Sequence, residues 1–222
     1  GYVHAPYGLG ERYAHGPKVG NETCNSVGPW GSDYYMGVWS NSSALPTKIV
    51  VMKITQYKEV VDAVAGTING HMINAAFTTD ETLLCRAEAY AMKEMYPQAI
   101  ADLNIWREAY TRSTTPLTTE SINDFYGSME YKKKLNPDFT ITNETQENVI
   151  HCILHARRLT TLHEGLRWQD IKRYGITIYR RLMNDNGTIT VTDKLEPNDP
   201  RRAIQIPSDV ISAGLKPNPR TK

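Results

Sequence analysis

The chain has 222 residues, of which 40% are apolar and 22% charged, with a formal net charge of +1. That is enough apolar material for one sizeable core or two small lobes, and the near-neutral balance excludes the basic field by which proteins hold nucleic acid. No run of about 18 apolar residues offers a membrane-spanning helix, and the start, "GYVHAPYGLGERY", is neither a signal peptide nor a lipobox, so an exported form is expected to carry its leader outside this chain.

Residues 1–47 carry few periodic apolar positions and many Gly, Pro, Asn and Ser, as in "GNETCNSVGPWGSDYYMGVWSNSSALP". They are expected to form a long irregular loop region lying over other elements, a place where function concentrates. Residues 48–77 read as extended. "KIVVMKI" is apolar and β-branched, and "YKEVVDA" and "HMINAAF" flank "VAGTING" as the arms of a hairpin with a Gly-bearing loop.

Helical periodicity begins at residue 78 and runs to about 175. Thr78 and Glu81 fit a capping box, and Leu84, Ala87 and Ala91 make one apolar stripe. Pro97 suits the first turn of a second helix, in which Ala99, Ile100, Leu103 and Trp106 share a face. Small residues on both let the two pack closely, as an antiparallel pair joined at Lys93–Tyr96. A third helix is expected at 119–131. A long fourth follows, capped by Thr142 or Asn143, with Val149, Ile150, Ile153, Leu154 and Leu162 on the core side, and Gly165 interrupts or ends it. "LRWQDIKRY" resumes helical spacing. Residues 176–222 read as a hairpin turning at Asn184–Gly187, then an extended, Pro-rich tail with one short strand.

Cys24, Cys85 and Cys152 stand at no motif spacing and are odd in number. Cys85 and Cys152 lie in apolar helical patterns and are expected to be buried free thiols. "HCILH" places His151 and His155 on one helix face, with His163 two turns on. A zinc peptidase needs Glu where Cys152 stands, so no base would activate a metal-bound water, and no metal is expected. In "HEGLRWQDIKRYG" (163–175), Glu164 and Asp170 resemble, with Glu147, the paired carboxylates of glycoside hydrolysis. Six residues apart on a continuous helix, they point to opposite sides. Arg157, Arg158, Arg167 and Arg173 surround them, which holds a carboxylate ionised and suits an ion network better than catalysis. Phosphate-loop and nucleophile-elbow motifs are absent. The candidate ligand site is the Gly-rich "GPWGSDYYMGVW", where Trp30, Tyr34, Tyr35 and Trp39 can stack on a sugar or grip a peptide and Asp33 can supply a polar contact. The bland alternative is that these aromatics anchor the loop to the helices.

Two blocks carry a family resemblance. "TTDETLLCRAEAYAMKEMYPQAIADLNIWR" (78–107) has a strand running into a helix with Ala-Glu-Ala, then Ala-x-x-Asp-Leu-Asn and a downstream Arg. "RRLTTLHEGLRWQDIKRYG" (157–175) has an Arg-rich helix, Glu-Gly, Arg-Trp, Asp and Lys-Arg-aromatic-Gly. "IQIPSDV" and "KPNPRTK" follow in order. The chain resembles the SusD/RagB outer-membrane nutrient-binding lipoproteins of Bacteroidetes over roughly residues 48–222. The structural signature so matched comprises Glu88, Asp102, Asn104, Arg157, Glu164, Gly165, Arg167, Trp168, Asp170 and Arg173. Ala156 and Thr160 depart from it, since the family usually has Glu at both, which is expected to weaken the network around Arg157 and Arg158.

The resemblance implies a mainly α fold: a tetratricopeptide-like helical scaffold with irregular loops and short β-hairpins, of which residues 1–222 form a C-terminal part. It implies a cell-surface glycan-binding subunit that delivers its ligand to a SusC-like TonB-dependent transporter, held at the outer face of the outer membrane by a lipid anchor outside this chain. It further implies no catalysis and no cofactor. The alternatives are a peptide-binding RagB-like subunit and a tetratricopeptide-type adaptor for a protein segment. On this reading the charged stretch at 163–175 assembles the fold, and the aromatic loop binds.

Overall fold

The structure is a computed structural model that describes residues 14–15, 28–31, 38–41, 48–51, 55–73, 75–128, 134–162, 164–183 and 189–220. The chain divides into two compact units, one of Val3–Lys132 with Ile141–Arg167, the other of Gly1–Tyr2, Lys133–Thr140 and Trp168–Lys222.

The first unit begins with a small antiparallel sheet. Strands β1 (Ala14–His15) and β2 (Val38–Asn41) pair on either side of β3 (Lys48–Val51), with Trp39 opposite Val50. The region expected to be irregular therefore contributes two strands. The β-branched run "KIVV" makes a competent central strand, and short partners with little pattern of their own complete its ladder. The expected hairpin follows as β4 (Thr55–Asp62) and β5 (Thr67–Ile73). Asp62 Oδ1 accepts from the N–H groups of Val64 and Ala65 (2.8 and 3.0 Å), and Gly66 turns the chain at φ 67°.

Helices α1 (Thr79–Met92) and α2 (Tyr96–Tyr110) form the expected antiparallel pair, with Pro97 in the first turn of α2. Leu84, Ala87, Ala91, Ala99, Leu103 and Trp106 are all fully buried between the helices of this unit. The capping box expected at Thr78 and Glu81 does not form. The Thr78 side chain caps nothing, and the Glu81 N–H donates to Asp80 Oδ1 (2.9 Å). Helix α1 ends in a Schellman motif. Met95 N–H donates to the Tyr90 carbonyl (2.9 Å) and Glu94 N–H to that of Ala91 (3.0 Å), with Glu94 in the left-handed position at φ 57°.

A true capping box starts α3 (Thr119–Gly127): Ser121 N–H donates to Thr118 Oγ1 (3.0 Å) and Thr118 N–H to Ser121 Oγ (2.9 Å). The helix stops short of the expected residue 131, and residues 129–133 lie outside the described ones. Helix α4 (Glu144–Thr160) is capped by Asn143, whose side chain accepts from Gln146 N–H (2.9 Å). Val149, Ile150, Ile153 and Leu154 face the core as expected, whereas Leu162 is half-buried. Cys152 is a buried free thiol. Cys85 is free but exposed, because its position on α1 lies beside the Leu84–Ala87–Ala91 stripe rather than on it.

In the second unit, helix α5 (Arg167–Arg173, its first residue belonging to the first unit) ends in another Schellman motif. Ile176 N–H donates to the Ile171 carbonyl (3.0 Å) and Gly175 N–H to that of Lys172 (3.4 Å), with Gly175 at φ 57°. A Cβ on Gly175 would overlap the backbone carbonyl of Asn136, whose N–H bonds the Tyr174 carbonyl (3.0 Å). Strands β6 (Ile178–Met183) and β7 (Ile189–Leu195) make the expected hairpin, and its turn at 184–188 lies outside the described residues. The buried Arg202 guanidinium donates to the carbonyls of Ile171 (3.4 Å), Ile176 (2.5 Å) and Leu195 (2.9 Å), tying α5 to β7. The tail differs from expectation. In place of a strand at "IQIPSDV", Pro207 precedes a short helix, α6 (Ser208–Ser212), since a fixed proline φ favours a helix start over a ladder. Six α-helices among the described residues, with a few short strands, make the fold mainly helical.

Candidate functional site

The described part of the aromatic loop is a pinched turn. Gly28 N–H donates to the Gly31 carbonyl (3.1 Å) and Gly31 N–H to that of Gly28 (2.8 Å). Gly31 sits at φ 83°, a conformation that costs a residue with a side chain about 1–2 kcal/mol. Within the turn Trp30 folds back over Gly28 so closely that a Cβ there would overlap the indole carbons.

The indole of Trp30 packs against Trp106 of α2 and His155 of α4. It is 2% exposed. Its ring lies 4.8 Å from Trp106 at 67° and 4.8 Å from His155 at 53°, the edge-on and tilted geometries that aromatic quadrupoles favour. Trp106 Nε1 donates to Thr160 Oγ1 (2.8 Å), and Thr160 Oγ1 donates to the Ala156 carbonyl one turn back (2.9 Å). Tyr126 from α3 meets His155 through its hydroxyl, 3.1 Å from Nδ1. The Trp30 indole N–H finds no acceptor among the described residues.

Burial sets the electrostatics of this socket. It holds the imidazole of His155 neutral, down to about 3, with the charges of Arg158 and Arg167 and nearby His151 adding to the effect. Burial also pushes the Cys152 thiol up to about 12 against the opposing bond from Tyr126. It raises the Tyr126 phenol well above its usual range, with Cys152 adding to that. The socket is a neutral, close-packed aromatic cluster. Among the described residues no group of three or more His, Cys, Asp or Glu is placed to hold a metal ion. His163 lies outside the described residues, and His151 Nε2 stands 4.0 Å from Glu147 Oε1.

The expected ligand residues fall in different places. Trp30 is in the core, with too little ring surface exposed to take a sugar. Trp39 lies on β2 opposite Val50, its side chain not described, and Asp33, Tyr34 and Tyr35 lie outside the described residues.

Of the signature residues, Glu88, Asp102, Asn104 and Arg157 are held by partners on other elements. Arg157 donates to Glu88 (2.5 Å) across α4 and α1, both buried. Despite Ala156 and Thr160, Arg157 thus keeps a carboxylate partner, supplied by another helix, and Thr160 instead receives the Trp106 indole. Arg86 grips Asp102 through two bonds (2.8 and 2.7 Å), linking α1 to α2. Asn104 Nδ2 donates to the Leu117 carbonyl (2.9 Å) while its Oδ1 accepts from Leu117 N–H (2.8 Å) and from Arg107 Nε (3.1 Å). Arg107 also donates to the Ser113 carbonyl. Glu164 is exposed in the turn after α4, Gly165 sits at φ 78°, and Arg167 opens α5. Asp170 is buried, Trp168 is half-buried, and Arg173 lies over Phe139 and Tyr174 at 5.2 and 5.7 Å from the ring centres. No continuous helix joins Glu164 to Asp170. The backbone turns at Gly165, so the helical-wheel argument for their opposition does not apply, although one is exposed and the other buried.

The family model described as the SusD family matches residues 26–211, most of the chain. The chain belongs to the SusD family. SusD proteins are nutrient-binding proteins of the outer membrane and not enzymes. Among the described residues no helix is long and apolar enough to cross a membrane. No curated protein and no solved structure gives a significant match. The SusD match takes in the Gly28–Gly31 turn as well as both charged blocks. Sequence reasoning singled out Trp30 but missed Gly28, over which its ring folds, and Thr160 and Tyr126, which bond its neighbours Trp106 and His155. The available signal was a glycine two residues ahead of a tryptophan.

Proposed function

We propose that this SusD protein binds an oligosaccharide at the cell surface and hands it to a SusC-like TonB-dependent transporter, without catalysing a reaction. The observation that carries this reading is the SusD-family match over residues 26–211. The chemistry of the charged residues supports it. Glu88, Asp102 and Arg157 are spent on helix-to-helix pairs, and an ionised carboxylate gripped by Arg is neither a general acid nor a tuned base. Ligand contact is assigned to Tyr34, Tyr35 and Trp39, with Asp33 as polar partner. Stacking on such rings suits a sugar and gives affinities of about −4 to −8 kcal/mol, millimolar to micromolar. A lipid anchor holds the protein to the outer face of the outer membrane, and the α1–α2 pair is one tetratricopeptide-like unit of the scaffold.

Isothermal titration with gluco-, xylo- and manno-hexasaccharides and with a pool of decapeptides tests the reading. Binding of a hexasaccharide without turnover is expected. Binding of peptides alone moves the ligand class to peptide, and hydrolysis of any member overturns the proposal.

A further inference from the structure

We infer that the second unit carries a further contact surface for an anionic oligosaccharide, one bearing carboxylates or sulfates, which meets the cations Lys134, Lys172 and Arg220. This deepens the oligosaccharide reading above by naming the ligand's charge, and it rests on that reading.

Three observations carry it. First, the overall charge of +1 conceals a segregation. The second unit holds twelve Lys and Arg against seven Asp and Glu, a net of +5, whereas the first holds thirteen against seventeen, a net of −4. Second, the acidic residues of the second unit are largely spent within it. Arg201 takes Asp193 (2.6 Å) and Asp199 (2.7 Å), Lys194 takes Glu196 (2.7 Å), and Asp170 is buried. Asp138 and Asp209 are the exposed acids among its described residues. Lys134, Lys172 and Arg220 are exposed, and none has an acidic partner among the described residues. Arg220 donates to neutral carbonyls, those of Arg201 (3.4 Å) and Ala203 (3.1 Å), which leave its charge uncancelled. Third, hydrogen bonds set the three cations on neighbouring segments. Asn136 N–H donates to the Tyr174 carbonyl (3.0 Å), so the segment that follows Lys134 lies along the end of α5, just past Lys172. Arg202 ties Ile171 and Ile176 to the stretch 201–203, against which Arg220 lies.

The charge pattern favours a short anionic chain over an anionic bilayer. Salt limits the reach of an exposed charge to about 8 Å at physiological ionic strength, so a ligand small enough to lie on the second unit senses the local surplus. A broad anionic surface meets the opposed field of the first unit as well and gains little from a chain of net +1. Lys and Arg each make charge-assisted hydrogen bonds to carboxylate or sulfate oxygens, and three such contacts spread along a path suit a run of charged sugars.

The test is calorimetric titration with hexagalacturonate, with its methyl ester, in which the same backbone has lost its charge, and with a chondroitin sulfate hexasaccharide. One acidic chain is expected to bind about ten-fold tighter than the ester at about 50 mM NaCl, and the preference to fade at about 500 mM. Lys134→Gln/Lys172→Gln/Arg220→Gln is expected to remove that preference while leaving affinity for the ester unchanged. Lys134→Gln/Lys172→Gln, which keeps the Arg220 carbonyl bonds, is expected to remove about half of it on a logarithmic scale and serves if melting curves show the triple variant unfolded. Lys58→Gln/Lys93→Gln, an equal loss of exposed charge from the first unit, is expected to keep the parent's preference.

Acidic chains that bind no tighter than the ester and the neutral hexasaccharides, or a preference that survives in the folded second-unit variants, overturn the inference and leave the oligosaccharide reading standing. So does binding to phosphatidylglycerol vesicles by a protein that takes a neutral hexasaccharide but neither acidic one, which assigns the cations to the membrane. Absence of binding by every hexasaccharide, neutral or acidic, overturns the oligosaccharide reading and the inference with it.

Discussion

The guanidinium of Arg157 on α4 donates to the carboxylate of Glu88 on α1 at 2.5 Å, and both side chains are almost wholly removed from water. A charge left alone at such a depth is strongly destabilising, whereas an apolar pair of similar volume is not. Glu88→Ala and Arg157→Ala are each expected to lose about 3–5 kcal/mol of stability, and Glu88→Leu with Arg157→Met to recover most of it. Urea denaturation of the two single variants and the double variant checks the cycle.

Gly175→Ala is expected to destabilise the second unit by well over the roughly 1 kcal/mol that a left-handed helix terminus alone demands. The added methyl also meets the Asn136 carbonyl, a backbone group that cannot swing aside. Glu94 offers the opposite case at the end of α1, a side-chain-bearing residue in the position glycine prefers. Glu94→Gly relieves that strain but forfeits the bond from Thr142 Oγ1 (2.8 Å), so it is expected to change stability by less than about 1 kcal/mol. Thermal melts of the two variants side by side show whether the asymmetry holds.

Asn104 imitates a strand neighbour for Leu117, pairing with both its N–H and its carbonyl. Asn104→Ala leaves two backbone groups and the Arg107 Nε without that partner and is expected to cost about 2–3 kcal/mol. Asn104→Leu, close in shape but unable to pair, should fare no better. Chemical denaturation midpoints provide the comparison.

His155 gives a pH signature. Its folded value lies near 3, below the ordinary 6.5, so between those values the unfolded chain binds a proton that the folded chain does not. Stability therefore falls as pH drops below about 6.5, by up to about 1.4 kcal/mol per pH unit from this group. Denaturation midpoints from pH 7 to 5 in the parent and in His155→Phe check the sign. The parent should lose more stability on acidification than the variant.

Much of the helical scaffold was legible in the sequence. Leu84, Ala87 and Ala91 on one helix and Ala99, Ile100, Leu103 and Trp106 on the next announce buried faces through spacing alone, and Asn143 announces a cap. The N-terminal strands were not, because β1 and β2 are specified by pairing to β3 and not by any local period. The capping box moved from Thr78 to Thr118, since a local hydrogen-bonding pattern permits a cap without requiring it. Asp80 competes at the first site, and Ser121, a residue outside the usual Glu or Gln pattern, completes the second. The burial of Trp30 depends on Trp106 and His155, both far along the chain, so an aromatic loop residue and an aromatic anchor look alike until the fold brings the socket together. In the charged stretch at 163–175, the break at Gly165 changes how the two carboxylates are disposed, which spacing counted along one continuous helix does not reveal.

The central claim is that ligand contact lies in the aromatic loop and strand, and that the charged signature builds the fold. Calorimetric titration of the three hexasaccharides into the parent, a Tyr34→Ala/Tyr35→Ala/Trp39→Ala variant and Arg167→Ala tests it most directly. Millimolar-to-micromolar binding in the parent, lost in the triple variant and kept in folded Arg167→Ala, is the predicted result. Undiminished binding by the triple variant, or loss of binding in a folded Arg167→Ala, would contradict it.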